Sequence, residues 1–272
     1  MLKDITLGQY YPADSVIHRL DPRTKLSATL LFMISLFCFR TIWAFLLISV
    51  FLIGVIFLSR VPFWYMVRGL KSILMIMTVA AICNLFFTPG TVLVSFWKLT
   101  ITEEGAKSAV FMLLRLSYLI IGTSILTLTT TPNQLTDGLE KALHPLTHIH
   151  VPVHEIAMMM SIALRFIPIL TEETDKIMKA QMARGADFES GGLIRRAKNM
   201  IPLLVPLFVS AFRRANDLAL AMEARCYRGG EGRTRMKPLR YQKRDFAAYL
   251  ILLSYMTLVI LLNLNFISGL RA

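Results

Sequence analysis

The sequence predicts an all-α polytopic membrane protein with about five transmembrane helices and long amphipathic helices on the cytosolic side. Hydrophobic residues make up 55% of the 272 residues, and the mean hydropathy is +0.58. Soluble domains of this length rarely reach such values. Several apolar runs approach the ~20 residues that an α-helix needs to cross a bilayer. The basic residues, which give a net charge of +13, concentrate in segments that this pattern places in the cytosol.

The N-terminal part of the chain predicts four of these spans. Residues 1–25 read as a cytosolic segment, and a helix should begin at Asp21-Pro22, because Asp is a good N-cap and Pro suits the first helical position. Two apolar runs, 26–39 and 41–59, flank Arg40; they form either a helical hairpin or one long tilted helix. Spans at about 70–87 and 109–130 complete a membrane domain over residues 26–131, with a basic loop at 60–71 and an outer loop at 88–106.

Residues 132–244 have a different character. They hold 18 of the 30 Lys and Arg residues, against 11 Asp and Glu, in helical stretches too apolar to lie free in water. Amphipathic helices are predicted from Thr131-Pro132, over 153–183 with a kink at Pro168, and over 193–225 with interruptions at Pro202 and Pro206. A last span at about 246–267 lies in a C-terminal segment, 245–272. Positive-inside counting then places the N-terminus in the cytosol and predicts a multi-pass protein of the cell membrane.

The net charge has several readings. In a soluble protein it would suggest nucleic acid as a partner, but here we expect no nucleic acid. The charge either follows from topology alone or faces an anionic surface, on the lipid bilayer or on a protein. The three cysteines lie far apart, which favours neither a disulfide framework nor a zinc site.

Two short segments repeat one pattern, Ala-x-x-Ala-Arg-small. They read AQMARG at 180–185 and AMEARC at 221–226, and their arginines lie 41 residues apart. A single Arg at a helix end can simply complement the helix dipole. Two matched arginines favour docking onto two similar partners, because Arg offers five fixed donors and small neighbours let a partner approach closely. Gly185 lies where a left-handed C-cap residue belongs.

Other candidates carry weaker signals. The four histidines 144, 148, 150 and 154 have spacings of four that could align metal ligands, yet Pro145 and Pro152 interrupt the segment, and an interfacial turn is the alternative. No Gly-x-x-x-x-Gly-Lys-Ser/Thr loop is present to cradle a triphosphate, so Glu189–Gly192 reads as a connector. Methionines such as Met159 and Met160 are either core filler or an adaptable binding face.

These features together resemble a known family. The segment from Tyr10 to Lys25 (YYPADSVIHRLDPRTK) is similar to the opening motif of EcfT, the transmembrane scaffold of energy-coupling factor (ECF) vitamin transporters. Four spans, a long basic helical region and a last span fit the layout of that family. The two repeated segments, which we call the tips, are similar to its paired Ala-Arg-Gly motifs, although the second has Cys226 in place of the usual Gly.

The resemblance implies a non-catalytic scaffold that joins two cytosolic ABC-type ATPase subunits to a small membrane subunit that binds the substrate. ATP and Mg²⁺ would be bound by the ATPases, and no cofactor by this chain. Residues 132–244 would then form coupling helices. The residues implied in ATPase binding form the two tips: Ala183, Arg184, Gly185, Ala224, Arg225 and Cys226.

Two rival functions remain at this point. A conventional ABC permease would form its own translocation pathway and work without a separate binding subunit. A membrane-embedded metal hydrolase would use the histidine cluster. The substrate itself is not readable from this chain, because in the implied arrangement another subunit selects it.

Overall fold

A computed structural model describes residues 9–38, 42–96, 99–188, 192–230 and 238–269. The helices and strands in these ranges are α1 (Pro22–Cys38), α2 (Ile42–Ser59), α3 (Phe63–Phe87), β1 (Val92–Phe96), β2 (Leu99–Thr102), α4 (Glu103–Thr129), α5 (Pro132–Leu143), a 3₁₀ helix (His144–Ile149), α6 (Val153–Ala183), α7 (Leu193–Asn199), α8 (Ile201–Ala224) and α9 (Lys243–Gly269). The chain forms two compact units, which we call the bundle unit (8–139 and 239–272) and the arm unit (140–238).

The predicted all-α polytopic class is confirmed. Among the described residues, four helical segments are long and apolar enough to cross a membrane: 42–59, 103–129, 153–183 and 243–263. A fifth is added if the two parts of α3, which meet at a 62° bend, form one span. The sequence instead predicts a cytosolic helix for the segment 153–183, which meets this criterion of length and hydropathy. Five of its charged residues fall within 172–179, so the C-terminal half of this helix is poorly suited to a hydrocarbon core.

The first two apolar runs form a hairpin. The rings of Phe32 in α1 and Phe51 in α2 lie 6.1 Å apart, whereas in one continuous helix these positions would be separated by ~28 Å. The alternative of a single tilted helix is therefore wrong. Arg40, which separates the two runs, lies outside the described residues, as do residues 189–191 of the predicted connector.

Two predicted boundaries were wrong: the start of α3 and the start of α4. The helix already begins at Phe63, so Arg68 and Lys71 lie within it rather than in a basic loop. The outer loop contains a short antiparallel hairpin of β1 and β2, whose sequence is rich in the β-branched residues that favour strands. Helix α4 starts earlier than predicted because the Thr102 side chain accepts the Gly105 N–H at 3.0 Å and caps it.

Polar pairs tie the helices of the bundle unit together across an apolar core. The Tyr255 ring of α9 stacks on Phe51 at 4.2 Å, and its hydroxyl lies 2.9 Å from Ser35 Oγ in α1. Ser49 Oγ in α2 lies 2.6 Å from the Tyr118 hydroxyl in α4. In a bilayer such pairs supply interhelical attraction that lipid-exposed apolar surfaces cannot.

The carboxylate of Asp245 connects the two ends of the bundle unit. It is 2% exposed and accepts hydrogen bonds from Gln242 N–H at 2.8 Å, Asp21 N–H at 2.8 Å and Thr24 Oγ1 at 3.2 Å. It therefore stabilises the first turns of both α1 and α9, where backbone N–H groups have no helical partner. The prediction that Asp21 caps α1 is confirmed, since its side chain accepts the Arg23 N–H at 3.0 Å.

The arm unit follows the predicted amphipathic helices except at Pro206, which was predicted to interrupt 193–225 but lies inside the continuous helix α8. Helix α6 has the predicted limits and keeps Pro168 in its interior. The predicted interruption near Pro202 is a break at Met200, where α7 gives way to α8 with Pro202 in its first turn. Proline is tolerated there because the first N–H groups of a helix need no helical acceptor.

Candidate functional site

The first tip is the C-terminal end of α6. Arg184 is the cap residue, with φ −90° and ψ 6°, and Gly185 follows in the left-handed region at φ 88°. The Gly185 N–H donates to the Met182 carbonyl at 2.9 Å, and the Ala186 N–H donates to the Gln181 carbonyl at 3.0 Å. These two bonds define a Schellman motif, which satisfies the last carbonyls of the helix.

The second tip, at the end of α8, repeats this geometry. Arg225 is the cap residue, with φ −93° and ψ 14°, and Cys226 follows at φ 55°. The Cys226 N–H donates to the Glu223 carbonyl at 2.8 Å, and the Tyr227 N–H donates to the Met222 carbonyl at 3.1 Å. A cysteine thus occupies a conformation that normally favours glycine.

The repeated sequence therefore encodes a repeated backbone. In both tips an arginine sits at the point where the helix ends, between a small residue before it and a left-handed residue after it. All six predicted site residues are exposed: Ala183, Arg184, Gly185, Ala224, Arg225 and Cys226. The prediction that Gly185 takes a left-handed conformation is confirmed.

The tips have the chemistry of an anchor for an acceptor-rich groove. Within the described part of the chain, neither Arg184 nor Arg225 takes part in an ion pair. Each guanidinium can therefore present its five donors to carboxylates or carbonyls of another molecule. The small flanking residues leave backbone exposed beside the cation, which permits close approach of a second surface.

The sequence did not predict an ion pair between α6 and α8, the two helices that end in the tips and that we call the arms. Arg214 Nη2 in α8 donates to Glu173 Oε2 in α6 at 2.8 Å, and Ser210 Oγ donates to the other carboxylate oxygen. Glu173 and Arg214 are 41 residues apart, which is also the separation of Arg184 and Arg225. The shared offset was the signal that could have located this pair.

Each tip consequently lies at the same distance along its helix from the ion pair of Glu173 and Arg214. Arg184 follows Glu173 by 11 residues, and Arg225 follows Arg214 by 11 residues, which corresponds to ~16 Å along each helix. Next to the pair, α6 and α8 line an apolar groove of about 260 Å³. Its lining residues from α6 are Ile162, Phe166 and Leu170, and those from α8 include Ala211, Ala215 and Leu218.

The histidine candidates are not assembled into a ligand set. His144 and His148 lie in the 3₁₀ helix, and His150 adopts a left-handed conformation at φ 61°. His154 Nδ1 is 3.2 Å from the Glu140 carboxylate. Among the described residues no group of three His, Cys, Asp or Glu side chains is positioned to hold a metal ion.

Comparison with known proteins places these features in a family. The CbiQ family model, described as a cobalt transport protein, matches residues 13–236. The chain is 56% identical over 263 residues to the energy-coupling factor transporter transmembrane protein EcfT of Clostridium kluyveri, covering 96% of this chain and 97% of that relative. The chain belongs to the EcfT family.

Further EcfT relatives support the assignment over nearly the full length. The EcfT protein of Ruminiclostridium cellulolyticum is 54% identical over 266 residues, covering 98% of this chain and all of the relative. That of Bacillus subtilis is 47% identical over 264 residues, covering 97% and 100%. The chain is thus a multi-pass transmembrane component of an energy-coupling factor transporter, which is a non-catalytic role.

Proposed function

We propose that this chain is the coupling scaffold of its ECF transporter, and that the Arg184 and Arg225 tips dock onto two cytosolic ABC-type ATPase subunits. In this proposal a small membrane subunit binds the vitamin or other micronutrient, and ATP hydrolysis drives its uptake. The observation that carries the proposal is the pair of exposed arginine tips with matching Schellman ends.

The mechanism follows from how each arm is built. A guanidinium held at a rigid helix end enters a groove on the ATPase and forms charge-assisted hydrogen bonds there. When the ATPases close around ATP and Mg²⁺, which they bind themselves, they displace the two helix ends. Because Glu173, Arg214 and Ser210 join the arms, a movement of one tip is transmitted to the other arm.

Exposed apolar side chains supply the surface for the substrate-binding subunit. Phe208 and Phe212 of α8 and Met159 and Met160 of α6 are all exposed. Methionine side chains repack readily against different partners, and aromatic side chains bury a large apolar area at interfaces. These four residues therefore favour the binding-face reading of the methionine-rich stretch.

The charge distribution supports a cytosolic N-terminus. Arg19, Arg60 at the end of α2 and Arg244 at the start of α9 line one cavity of the bundle unit, so these three positions lie on the same side of the bundle. Positive residues beside span ends favour the cytosolic face. The proposed topology therefore places the N-terminus on the side where the ATPases are.

Co-purification tests the docking. The full chain and an Arg184→Glu/Arg225→Glu variant are purified from native membranes in mild detergent. We expect two ATPase subunits and a small hydrophobic protein with the wild type, and the loss of the ATPases from the variant. The matched control is Arg195→Glu/Lys198→Glu, which makes the same charge change on the exposed surface of α7 and should retain the ATPases.

The proposal fails if the ATPases persist in the double variant, or if they are lost equally from the control. Reconstitution into liposomes provides a second test. ATP-driven uptake by this chain and the ATPases alone would identify a permease that forms its own pathway. Uptake only when the small membrane protein is included supports the scaffold.

A further inference from the structure

A cluster of three arginines lies in the bundle unit. It lines an open-sided cavity of about 640 Å³. The cavity is formed by the N-terminal segment, the end of α2 and the start of α9. Its lining residues are Asp14, Ser15, Val16, Arg19, Phe57, Leu58, Arg60 and Arg244.

The charges in this cavity leave a net positive site. Asp14 accepts hydrogen bonds from both Nε, at 2.6 Å, and Nη2 of Arg19. The bond to Arg19 holds the pKa of Asp14 below its usual value, so Asp14 stays anionic and neutralises Arg19. Within the described residues, Arg60 and Arg244 take part in no ion pair.

The backbone at Arg60 adds an independent observation. Arg60 ends α2 in a left-handed conformation, with φ 53°, and its N–H reaches the Phe57 carbonyl at 3.3 Å. Glycine adopts this conformation without steric strain, whereas a residue with a Cβ does not. An unfavourable conformation at a long cationic residue points to a use for the side chain.

Most of the remaining lining is apolar. Phe57 is 78% exposed and Leu58 is 52% exposed, and both belong to the last turn of α2, which is a candidate membrane span. Arginines and exposed apolar side chains therefore adjoin at a span end, where the hydrocarbon region meets the headgroups. A ligand that suits both surfaces has an anionic head and an apolar chain.

We propose that this cavity binds the phosphate headgroup of an anionic phospholipid. Arg60 and Arg244 bind the phosphate oxygens, for which guanidinium geometry is well matched, and Phe57 and Leu58 contact the first part of the acyl chain. Basic pockets beside transmembrane helices on the cytosolic side commonly recognise such headgroups. Lipid bound here would join α2, α9 and the N-terminal segment at one position.

Native mass spectrometry of the full chain in detergent tests the site. Phosphatidylglycerol, phosphatidylcholine and inorganic phosphate are titrated separately. We expect selective retention of phosphatidylglycerol, and a loss of affinity on the order of tenfold or more in Arg60→Gly/Arg244→Gln. Glycine at position 60 removes the side chain while relieving the backbone, and circular dichroism with thermal melting verifies that each variant is folded.

Two further variants make the outcome specific. Arg240→Gln, a nearby exposed arginine outside the cavity, should bind phosphatidylglycerol as the wild type does. Phe57→Gln should weaken phosphatidylglycerol more than a short-chain phosphodiester. Equal retention of phosphatidylcholine, competition by inorganic phosphate at similar concentration, or an equal loss in Arg240→Gln would each overturn the proposal.

Discussion

Helices α6 and α8 end in the same way, but they carry opposite charges at an equivalent interior position. Their last residues share the sequence frame, the Schellman hydrogen bonds and the exposed arginine cap. At the equivalent position 11 residues earlier, however, α6 has Glu173 and α8 has Arg214. Two identical arms would place like charges against each other there, whereas these two attract. The comparison teaches that the ends repeat one geometry, as the proposed docking onto similar partners requires, whereas the residues at the equivalent interior position have opposite charges and pair with each other.

The segments that follow the tips also differ. After the first tip, Asn199 Nδ2 of α7 donates to the Asp187 carbonyl at 2.6 Å. After the second, Gly230 lies so close to His154 that a Cβ would be 2.5 Å from its ring. A side chain at position 230 would require the ring to move, so glycine suits this approach. The two matched ends are therefore held by unrelated contacts.

The largest effect is expected from reversing one arginine at a time. If the arms are equivalent anchors, Arg184→Glu and Arg225→Glu should each lower ATP-driven uptake by roughly tenfold or more, because a charge placed against its former acceptors is strongly unfavourable. Uptake into proteoliposomes and the amount of ATPase co-purified are the measurements. Lys179→Glu, in α6 before the tip, is the control and should retain most activity. A harmless reversal at either tip would show that the arms are not equivalent.

A smaller effect is expected at the ion pair between the arms. Glu173→Arg places two cations together and should lower both the melting temperature and the coupled uptake. The swap Glu173→Arg/Arg214→Glu should recover most of the loss. The side chains of Arg214 and Glu173 are 39% and 23% exposed, so the coupling energy should be about 1 kcal/mol. A double-mutant cycle on thermal unfolding measures it, and additive effects would contradict direct pairing.

Local signals explain what the sequence predicted well. The start of α1 at Asp21-Pro22 and the limits of α6 depend on capping residues and apolar periodicity within a few turns, and both match. The start of α3 was missed because Arg68 and Lys71 suggested a loop, although charged residues are common in helices near a membrane interface. The β-hairpin was missed because its short β-branched run lay between two much stronger helical patterns.

In the candidate site, too, local patterns located some features and missed others. The tips were located because their motif is contiguous and repeated, although their docking role remains a prediction. The contacts of Glu173 with Arg214, and of Asp245 with Asp21, join residues 41 and 224 positions apart. No local pattern specifies such partners. Only the shared 41-residue offset connected the first of them to the tips.

The smallest effect is expected at the one position where the tips differ. A residue with a Cβ in the left-handed region costs about 1 kcal/mol relative to glycine. Cys226→Gly should therefore slow hydrogen exchange in the last turn of α8 about fivefold, and Gly185→Cys should accelerate exchange in α6 by a similar factor. Amide exchange followed by mass spectrometry resolves the two helix ends in one experiment.

Cys226→Ser separates the backbone from the thiol, because serine keeps the Cβ and removes only the sulfur. It should exchange as the wild type does. If Cys226→Gly left exchange unchanged while Cys226→Ser altered it, the thiol and not the backbone would distinguish the second tip. If Cys226→Gly slows exchange and leaves uptake unchanged, the arms differ in local stability alone. The anchor would then depend on the arginine and the shape of the turn, which both tips share.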